Sequence, residues 1–180
     1  MALQIFKNGI YYPTLPIDLA TLPDLGNIII DAADEKAAVV FRASATKSIR
    51  KIRFRTNTVT TGATLDIRVE TVNTSGDPSG TLWAANTNIA HTVLLTDDNA
   101  WLLTLALTSD ASVTKGDLVA IVLVNPTVSP GNMQISTYSD DVSSGFPYGD
   151  QFTTLWNKVG SAPLIFAEYS DGTYEPIYGF

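Results

Sequence analysis

The sequence predicts an all-β protein, an antiparallel β-sandwich with an extended proline-rich N-terminal arm. Three observations support this fold class. The 180 residues are rich in Thr, Val, Ile, Tyr, Phe and Trp, which fit the pleated surface of a sheet. Several segments alternate apolar and polar residues, and no window has capped, helically spaced apolar residues. Strand-length segments recur about every 8–12 residues between turn signals, which is typical of sandwiches and barrels.

The predicted arm covers residues 1–27. Residues 2–6 are expected to form a short strand, and Asn8 with Gly9 forms a turn signal. Pro13, Pro16 and Pro23 then exclude a helix or a central strand, because proline lacks the amide hydrogen that both require. Two interpretations stay open: the arm lies over its own domain, or it packs on a neighbouring subunit.

Residues 28–180 are predicted to form one sandwich domain, since all-β domains of this length are common. Its first strands are expected at residues 28–31, 37–43, 49–58 and 65–72. The last two alternate strictly, so each has one apolar and one charged face. If they form a hairpin, one register aligns both faces. The apolar pairs are then Phe54 with Ile67 and Ile52 with Val69. The ion pairs are Arg55 with Asp66 and Lys51 with Glu70.

The remaining strands are predicted at residues 81–85, 101–107, 118–124, 133–138, 151–156, 164–169 and 173–177. Residues 118–124 are apolar on both faces, which predicts a strand at the centre of a sheet. Composition predicts loops at residues 73–80, 126–132 and 140–150. Asp171 followed by Gly172 signals a final hairpin.

Composition excludes several functions. The chain has no cysteine, so disulfides and thiolate zinc sites are excluded. A net charge of −7 disfavours binding to phosphate backbones, so we predict no nucleic-acid partner. No segment reaches the roughly 18 apolar residues of a membrane-spanning helix, so we predict no membrane insertion. The N-terminus does not have the pattern of a secretory signal, and we expect synthesis in a cytoplasm.

The sequence offers no recognisable catalytic apparatus. A Ser-His-Asp site needs a histidine, and His91, the only one, is interpreted as a surface or strand-edge residue. Candidates for a pair of carboxylates that could hydrolyse a glycoside are Asp66, Glu70, Glu168 and Glu175. In the predicted hairpin Asp66 and Glu70 are ion-paired, which does not suit a general acid. A pair assembled across other strands stays open, but we predict that the chain is not an enzyme and has no cofactor.

Acidic doublets provide the only candidate metal ligands. Asp97, Asp98 and Asn99 form one cluster, and Asp140 and Asp141 form another. Calcium takes carboxylate oxygens from loops of this kind. Their spacing matches no known calcium loop, so we interpret both clusters as solvated turns and predict no metal site.

A basic stripe crosses the strand at residues 49–58. Five of the eleven Lys and Arg residues form it, and they are Lys47, Arg50, Lys51, Arg53 and Arg55. Such a stripe could dock on an acidic partner. The alternative is neutralisation by Asp66 and Glu70 on the next strand. The candidate assembly contacts are Arg50, Arg53 and Arg55, together with Pro13, Pro16 and Pro23 of the arm.

Aromatic side chains provide the candidate contact surface. Trp101 fits an inward position and is expected in the core. Phe146, Tyr148 and Trp156 lie in or near a predicted loop, where they could contact a partner protein or stack on a sugar.

Six turn and strand motifs suggest a family. They lie at residues 58–72, 76–83, 96–107, 113–121, 129–135 and 166–174. Together, over residues 41–178, they resemble a β-sandwich module of tailed-bacteriophage virion proteins. The order of elements is also similar to that of jelly-roll carbohydrate-binding modules, in which a Gly-Asp-Pro-Ser-Gly-Thr-Leu loop, here residues 76–82, follows a strand.

The resemblance implies a jelly-roll-like fold and a non-enzymatic structural protein located in the virion. Such a protein decorates the head or forms part of a tail or fibre. Its expected partners are capsid or tail proteins and further copies of itself, with host-surface carbohydrate as a further contact. The alternative is a carbohydrate-binding module that recognises host glycan, and a glycan-cleaving enzyme is a third option. The motifs transfer no catalytic residues.

Overall fold

The computed structural model describes residues 5–7, 10–12, 26–58, 64–92, 103–125, 133–138, 148–159 and 162–176. These residues form strands and turns, with no helix among them, and the strands pair antiparallel. This confirms the predicted all-β sandwich class. The jelly-roll-like arrangement and the proline-rich arm stay predictions, and Pro13, Pro16 and Pro23 lie outside the described residues.

Seventeen strands lie in the described residues. In chain order they are β1 (Ile5–Lys7), β2 (Ile10–Tyr12), β3 (Gly26–Ile30), β4 (Lys36–Arg42), β5 (Lys47–Phe54), β6 (Thr56–Thr58), β7 (Thr64–Val72), β8 (Pro78–Leu82), β9 (Asn88–Thr92), β10 (Leu103–Val113), β11 (Leu118–Val124), β12 (Met133–Tyr138), β13 (Tyr148–Phe152), β14 (Trp156–Val159), β15 (Ala162–Pro163), β16 (Ile165–Tyr169) and β17 (Tyr174–Glu175).

The strands form three main sheets and one separate pair. The large sheet has the order β14-β13-β4-β11-β7-β8, with β9 also beside β7. The facing sheet has the order β10-β5-β16-β17. The small sheet has the order β15-β12-β3, with β6 beside β12. Strands β1 and β2 pair with each other.

Strand β11 is the centre of the large sheet. It pairs antiparallel with β4 on one side and with β7 on the other. All its residues after Leu118 are buried. Ile121 faces the main core, whereas Ala120 and Val122 belong to a second apolar cluster on the opposite face. A strand covered on both faces reads as a continuous apolar run, so the central position predicted for residues 118–124 is confirmed.

The main core lies between the large sheet and the other two sheets. Alternate residues of each strand point into it, as a period of two requires. The largest fully buried side chains include Phe41, Ile67 and Ile121 from the large sheet, Ile52 and Phe54 from the facing sheet, and Ile30 and Ile135 from the small sheet.

Two sets of hydrogen bonds join the sheets. The Arg55 amide donates to the Leu164 carbonyl at 3.0 Å, and the Ser136 amide donates to the Arg55 carbonyl at 3.0 Å, which joins the facing and small sheets. On another side, the Trp83 indole donates to the Ser112 carbonyl at 2.8 Å. This second bond ties the end of β8 to β10, and thereby the large sheet to the facing sheet.

The predicted hairpin between the third and fourth strands is wrong. Strand β5 pairs with β10 and β16, so that Phe54 lies opposite Leu103 and Ile165. Strand β7 lies in the large sheet, where Glu70 is opposite Ala120. Between them the chain forms β6, which belongs to the small sheet. Alternation correctly assigned the apolar faces of both strands to the core. Arg55 and Glu70, predicted on the charged faces, are buried, and alternation does not specify which strand lies alongside.

Strand and loop boundaries differ from prediction at several places. The strand predicted at residues 151–156 is divided by a turn at residues 153–155, and the strand predicted at residues 81–85 ends at Leu82. Strand β13 begins at Tyr148 inside the predicted 140–150 loop, β8 begins at Pro78 inside the predicted 73–80 loop, and β3 begins at Gly26. Ser-, Gly- and Asp-rich composition indicates a loop, but pairing with β4 holds the start of β13 in a strand. The hairpin predicted at residues 171–172 is confirmed between β16 and β17.

Candidate functional site

The turn of the β13–β14 hairpin carries an exposed hydrophobic side chain. Leu155, in this turn, is 71% exposed. Phe152 and Trp156, which face each other at the ends of the two strands, are both half-buried. Their ring centroids are 5.3 Å apart at an interplanar angle of 58°. We call Lys36, Phe152, Leu155 and Trp156 the hairpin surface.

Lys36 supplies the positive charge of the hairpin surface. Its ammonium lies 4.5 Å from the centroid of the Phe152 ring, within the range of a cation–π interaction. The pairing of β4 with β13 sets this geometry, because Lys36 is opposite Phe152. A second exposed hydrophobic residue, Ile29, lies nearby and is 43% exposed. The Gln151 amide group donates to the Ile29 carbonyl at 2.9 Å, which fixes β3 beside this hairpin.

The structure brings together only part of the predicted aromatic surface. Trp156 lies on the hairpin surface, as half of a ring pair. Tyr148 is the first residue of β13, opposite Val40, and its side chain is not among those described. Phe146 and Trp101 lie outside the described residues. Leu155 and Phe152 were not identified, because residues 151–156 were predicted as one strand, whereas the chain turns at residues 153–155 between β13 and β14.

A buried carboxylate lies on the same hairpin and was also missed. Asp150 is 0% exposed, and neither of its oxygens has a hydrogen-bond partner among the residues that the structure describes. Burial, and next the negative charge of Asp77, raise the pKa of Asp150 to about 7. Lys158 and the Gln151 amide act in the opposite direction without making a hydrogen bond of good geometry. Its position in the sequence provided little signal, because Asp150 is the last residue of the loop predicted at residues 140–150, whereas it lies inside β13.

Four of the five cations of the basic stripe are ion-paired, but not with the residues predicted. Lys51 Nζ lies 3.2 Å and Arg53 Nε 2.6 Å from the carboxylate of Glu168. Arg50 pairs with Asp110 at 3.4 Å, and Lys47 pairs with Asp171 at 2.8 Å. The assignment of Asp66 and Glu70 as its partners is wrong, because the acids come from strands and turns of the facing sheet itself.

The three predicted assembly contacts of the basic stripe differ in how far their side chains are exposed. Arg50 has an exposed side chain, while the Arg53 side chain is partly buried and its guanidinium lies 4.7 Å from the Tyr174 ring centroid. Arg55 is buried, with 6% of its surface exposed, where the facing and small sheets join. Arg50 alone of these three is positioned to meet a partner without rearrangement.

The four carboxylates considered for catalysis hold other parts of the fold. Glu70 is 2% exposed, accepts from the Gly80 amide at 2.8 Å and pairs with Arg68 at 3.0 Å. Asp66 lies 3.9 Å from the same guanidinium. Burial acts to raise the pKa of Glu168, but hydrogen bonds from Arg53 and Lys51 outweigh it and lower the pKa.

Glu175, the fourth of these carboxylates, is buried between two parts of the chain. It accepts hydrogen bonds from the Tyr169 hydroxyl and from the Ser44 amide. Burial and the neighbouring Glu175 raise the pKa of Tyr169. Glu175 therefore joins the loop after β4 to β16.

Within the described part of the chain, no three His, Asp or Glu side chains are grouped to hold a metal ion. Both predicted acidic clusters, at residues 97–99 and 140–141, lie outside that part. His91 is on β9, opposite Leu65, and is half-buried. The described residues contain no helix with the length and hydropathy needed to cross a bilayer.

The hairpin surface and the adjacent Asp150 are therefore the candidate functional site. They combine an exposed hydrophobic side chain, a pair of aromatic rings, a cation and an unpaired buried carboxylate on two adjacent strands. No protein-family model, curated protein or solved structure matches this chain. What the site does must be inferred from its own residues.

Proposed function

We propose that this chain is a non-enzymatic structural protein of a bacteriophage virion, a module of the head or of a tail or fibre. In this proposal it contacts other virion proteins through the hairpin surface. The observation that carries the proposal is Leu155, which is 71% exposed in a hairpin turn and next to Trp156. Burial of a large hydrophobic side chain in such a position by a partner is favourable and stabilises the complex.

The construction of the domain supports a structural role. Charged residues on the facing sheet and on β7 are used to hold strands together, as in the Glu168 cluster with Lys51 and Arg53. The sheets are joined at their edges by hydrogen bonds such as that from Trp83 to Ser112. The described parts of two motifs that resemble virion modules, residues 64–72 and 166–174, are strands and a turn of this framework.

The variant Leu155→Glu tests the contact. It places a charge where a partner would have to bury it, so incorporation of the protein into particles should fall at least tenfold. The fold should be unaffected, because Leu155 is in an exposed turn. Ala85→Glu, which adds the same charge at another exposed turn, is the matched control and should be incorporated normally. Normal incorporation of Leu155→Glu would contradict the proposed contact.

Deletion of residues 1–25 tests the proposed anchoring role of the arm. The deletion ends before Gly26, because that residue already pairs with Thr137 in the small sheet. We expect circular dichroism of the truncated chain to retain its strand signal while incorporation into particles is lost. Unchanged incorporation would show that the arm is not an anchor.

A second candidate is a carbohydrate-binding module for host glycan, which the half-buried Trp156 favours. A partly exposed indole can stack on the apolar face of a sugar ring. Binding on a glycan array should then decrease for Trp156→Ala and for Tyr148→Ala but not for Leu155→Glu. Wild-type binding by all three variants, or no binding by the wild type itself, would exclude this candidate.

A further inference from the structure

Asp150 lies in an apolar environment at the side of the large sheet. Pairing places it opposite Ala38 on β4 and opposite Lys158 on β14. On this face of the sheet, Ala38, Val40 and Val122 form a fully buried cluster. Trp156 packs against the same cluster. An ionised carboxylate at this position has lost its hydration without gaining a hydrogen bond, and that arrangement is unfavourable unless the group is protonated.

Among the charged groups around Asp150, Lys158 favours the ionised carboxylate, but burial and Asp77 outweigh it. Strand β14 contributes Lys158, which is exposed, and the segment before β8 contributes Asp77, whose charge disfavours ionisation. Strand β4 has only alanine and valine beside Asp150, and its Lys36 is held over the Phe152 ring.

Strand β7, farther across the sheet, contributes two acids that are already ion-paired. Asp66 and Glu70 lie on either side of Arg68 along that strand. Their partner is thus a guanidinium of their own strand, and Arg68 in turn donates to the Gly80 carbonyl at 2.9 Å. Within the described residues, gain or loss of a proton by Asp150 is therefore the event that changes the charge beside this apolar cluster.

We propose that Asp150 is a proton-operated latch for the β13–β14 hairpin: the neutral carboxyl keeps the hairpin closed on β4, and loss of its proton loosens it. The hairpin is the element that yields because, among the described strands, β14 is last in the order of the sheet and β13 pairs with the rest of the sheet only through β4. Strand β4, by contrast, is also paired along seven residues with β11.

The direction of the switch follows from the two protonation states. The closed form holds its proton up to about pH 7, whereas a hydrated Asp titrates at its ordinary value of 3.8. Between these values the open form binds fewer protons, so opening becomes more favourable as the pH rises. Above pH 7 both forms are ionised and the dependence levels off. Opening would expose Ala38, Val40 and Val122 beside the hairpin surface.

Hydrogen exchange of the β13–β14 amides tests the latch. Measured by mass spectrometry between pH 5 and pH 8 and corrected for intrinsic exchange, the opening constant should rise by up to tenfold per pH unit until about pH 7. Asp150→Asn, which keeps the shape but cannot ionise, should abolish this rise. Amides of β5 and β16 in the facing sheet, which exchange through unfolding of the whole domain, should stay better protected than the hairpin amides at every pH.

Three further variants separate the effect of the Asp150 charge from other effects of substitution. Asp150→Ala removes the carboxyl altogether and should also give a flat profile, so the test does not depend on one substitution. Asp77→Asn should move the plateau to a lower pH, because it removes a charge that opposes ionisation. Asp171→Asn, an exposed acid on the facing sheet, should behave as the wild type. A flat wild-type profile, or a rise that persists in both Asp150 variants, would overturn the proposal.

Discussion

Single residues in this domain differ mainly in how their charges are compensated. Asp150 and Glu168 are both buried acids on strands, yet their pKa values shift in opposite directions. Glu168 has two cations within 3.2 Å, whereas Asp150 has no hydrogen-bond partner. Burial alone raises the pKa of a carboxyl, and only a partner reverses that effect.

Asp150 should make the whole domain less stable as the pH rises. Its folded pKa of about 7 exceeds the ordinary value of 3.8, so its contribution is complete below pH 3.8 and is lost as the pH approaches 7. At about 1.4 kcal/mol per pKa unit, the wild type should lose about 3 kcal/mol more than Asp150→Asn between pH 4 and pH 7. Urea denaturation at both pH values measures this, and parallel losses would contradict the prediction.

Glu168 should have the opposite dependence. Glu168→Gln leaves Lys51 and Arg53 without their shared anion, so we expect a loss of about 1–3 kcal/mol at pH 7. Because the pKa of Glu168 is lowered, its contribution is present above the ordinary value of 4.5 and is lost as the pH falls through the folded value. The difference from wild type in urea denaturation should therefore shrink at acid pH.

The matched control for Glu168→Gln is Asp110→Asn, which removes an exposed pair with Arg50. It should change the free energy of unfolding by no more than about 0.5 kcal/mol. A Glu168 variant that loses no more than this control would show that its cluster is not stabilising.

Individual elements were predictable where local chemistry specified them. The apolar run of β11 and the Asp171-Gly172 turn each determine their structure from a few adjacent residues. The partner of β5 could not be predicted, because β16 lies more than a hundred residues later in the chain. Asp150 was missed for a related reason: its burial depends on Ala38 and Val40, which are remote in sequence.

The β16–β17 turn offers a test at the scale of an element. Gly172 has a φ of +81°, which an L residue with a side chain rarely adopts. A Cβ there would meet no atom within 4 Å, so Gly172→Ala should cost only the backbone strain, about 1 kcal/mol in urea denaturation. The control Ser170→Ala, an exposed neighbour, should be neutral. A neutral Gly172→Ala would indicate that the turn adopts another conformation.

At the scale of the molecule, the main core couples all three sheets. Ile121 is fully buried at the middle of β11, so Ile121→Ala should destabilise the protein by about 2–5 kcal/mol. Ile29→Ala, at a position that is 43% exposed, should cost much less. Tryptophan fluorescence and circular dichroism should follow one common transition in the Ile121 variant. Separate transitions would mean that the sheets unfold independently.

The order of strands also determines when the protein can fold during its synthesis. Strand β5 is completed on one side by β16, and β4 is completed on one side by β13. Both strands therefore have an unpaired edge until the last quarter of the chain has left the ribosome. Pairings so distant in sequence form slowly, and open strand edges attract other chains. We expect nascent chains to aggregate more readily than the finished protein, so chaperones that cover strand edges should increase its yield.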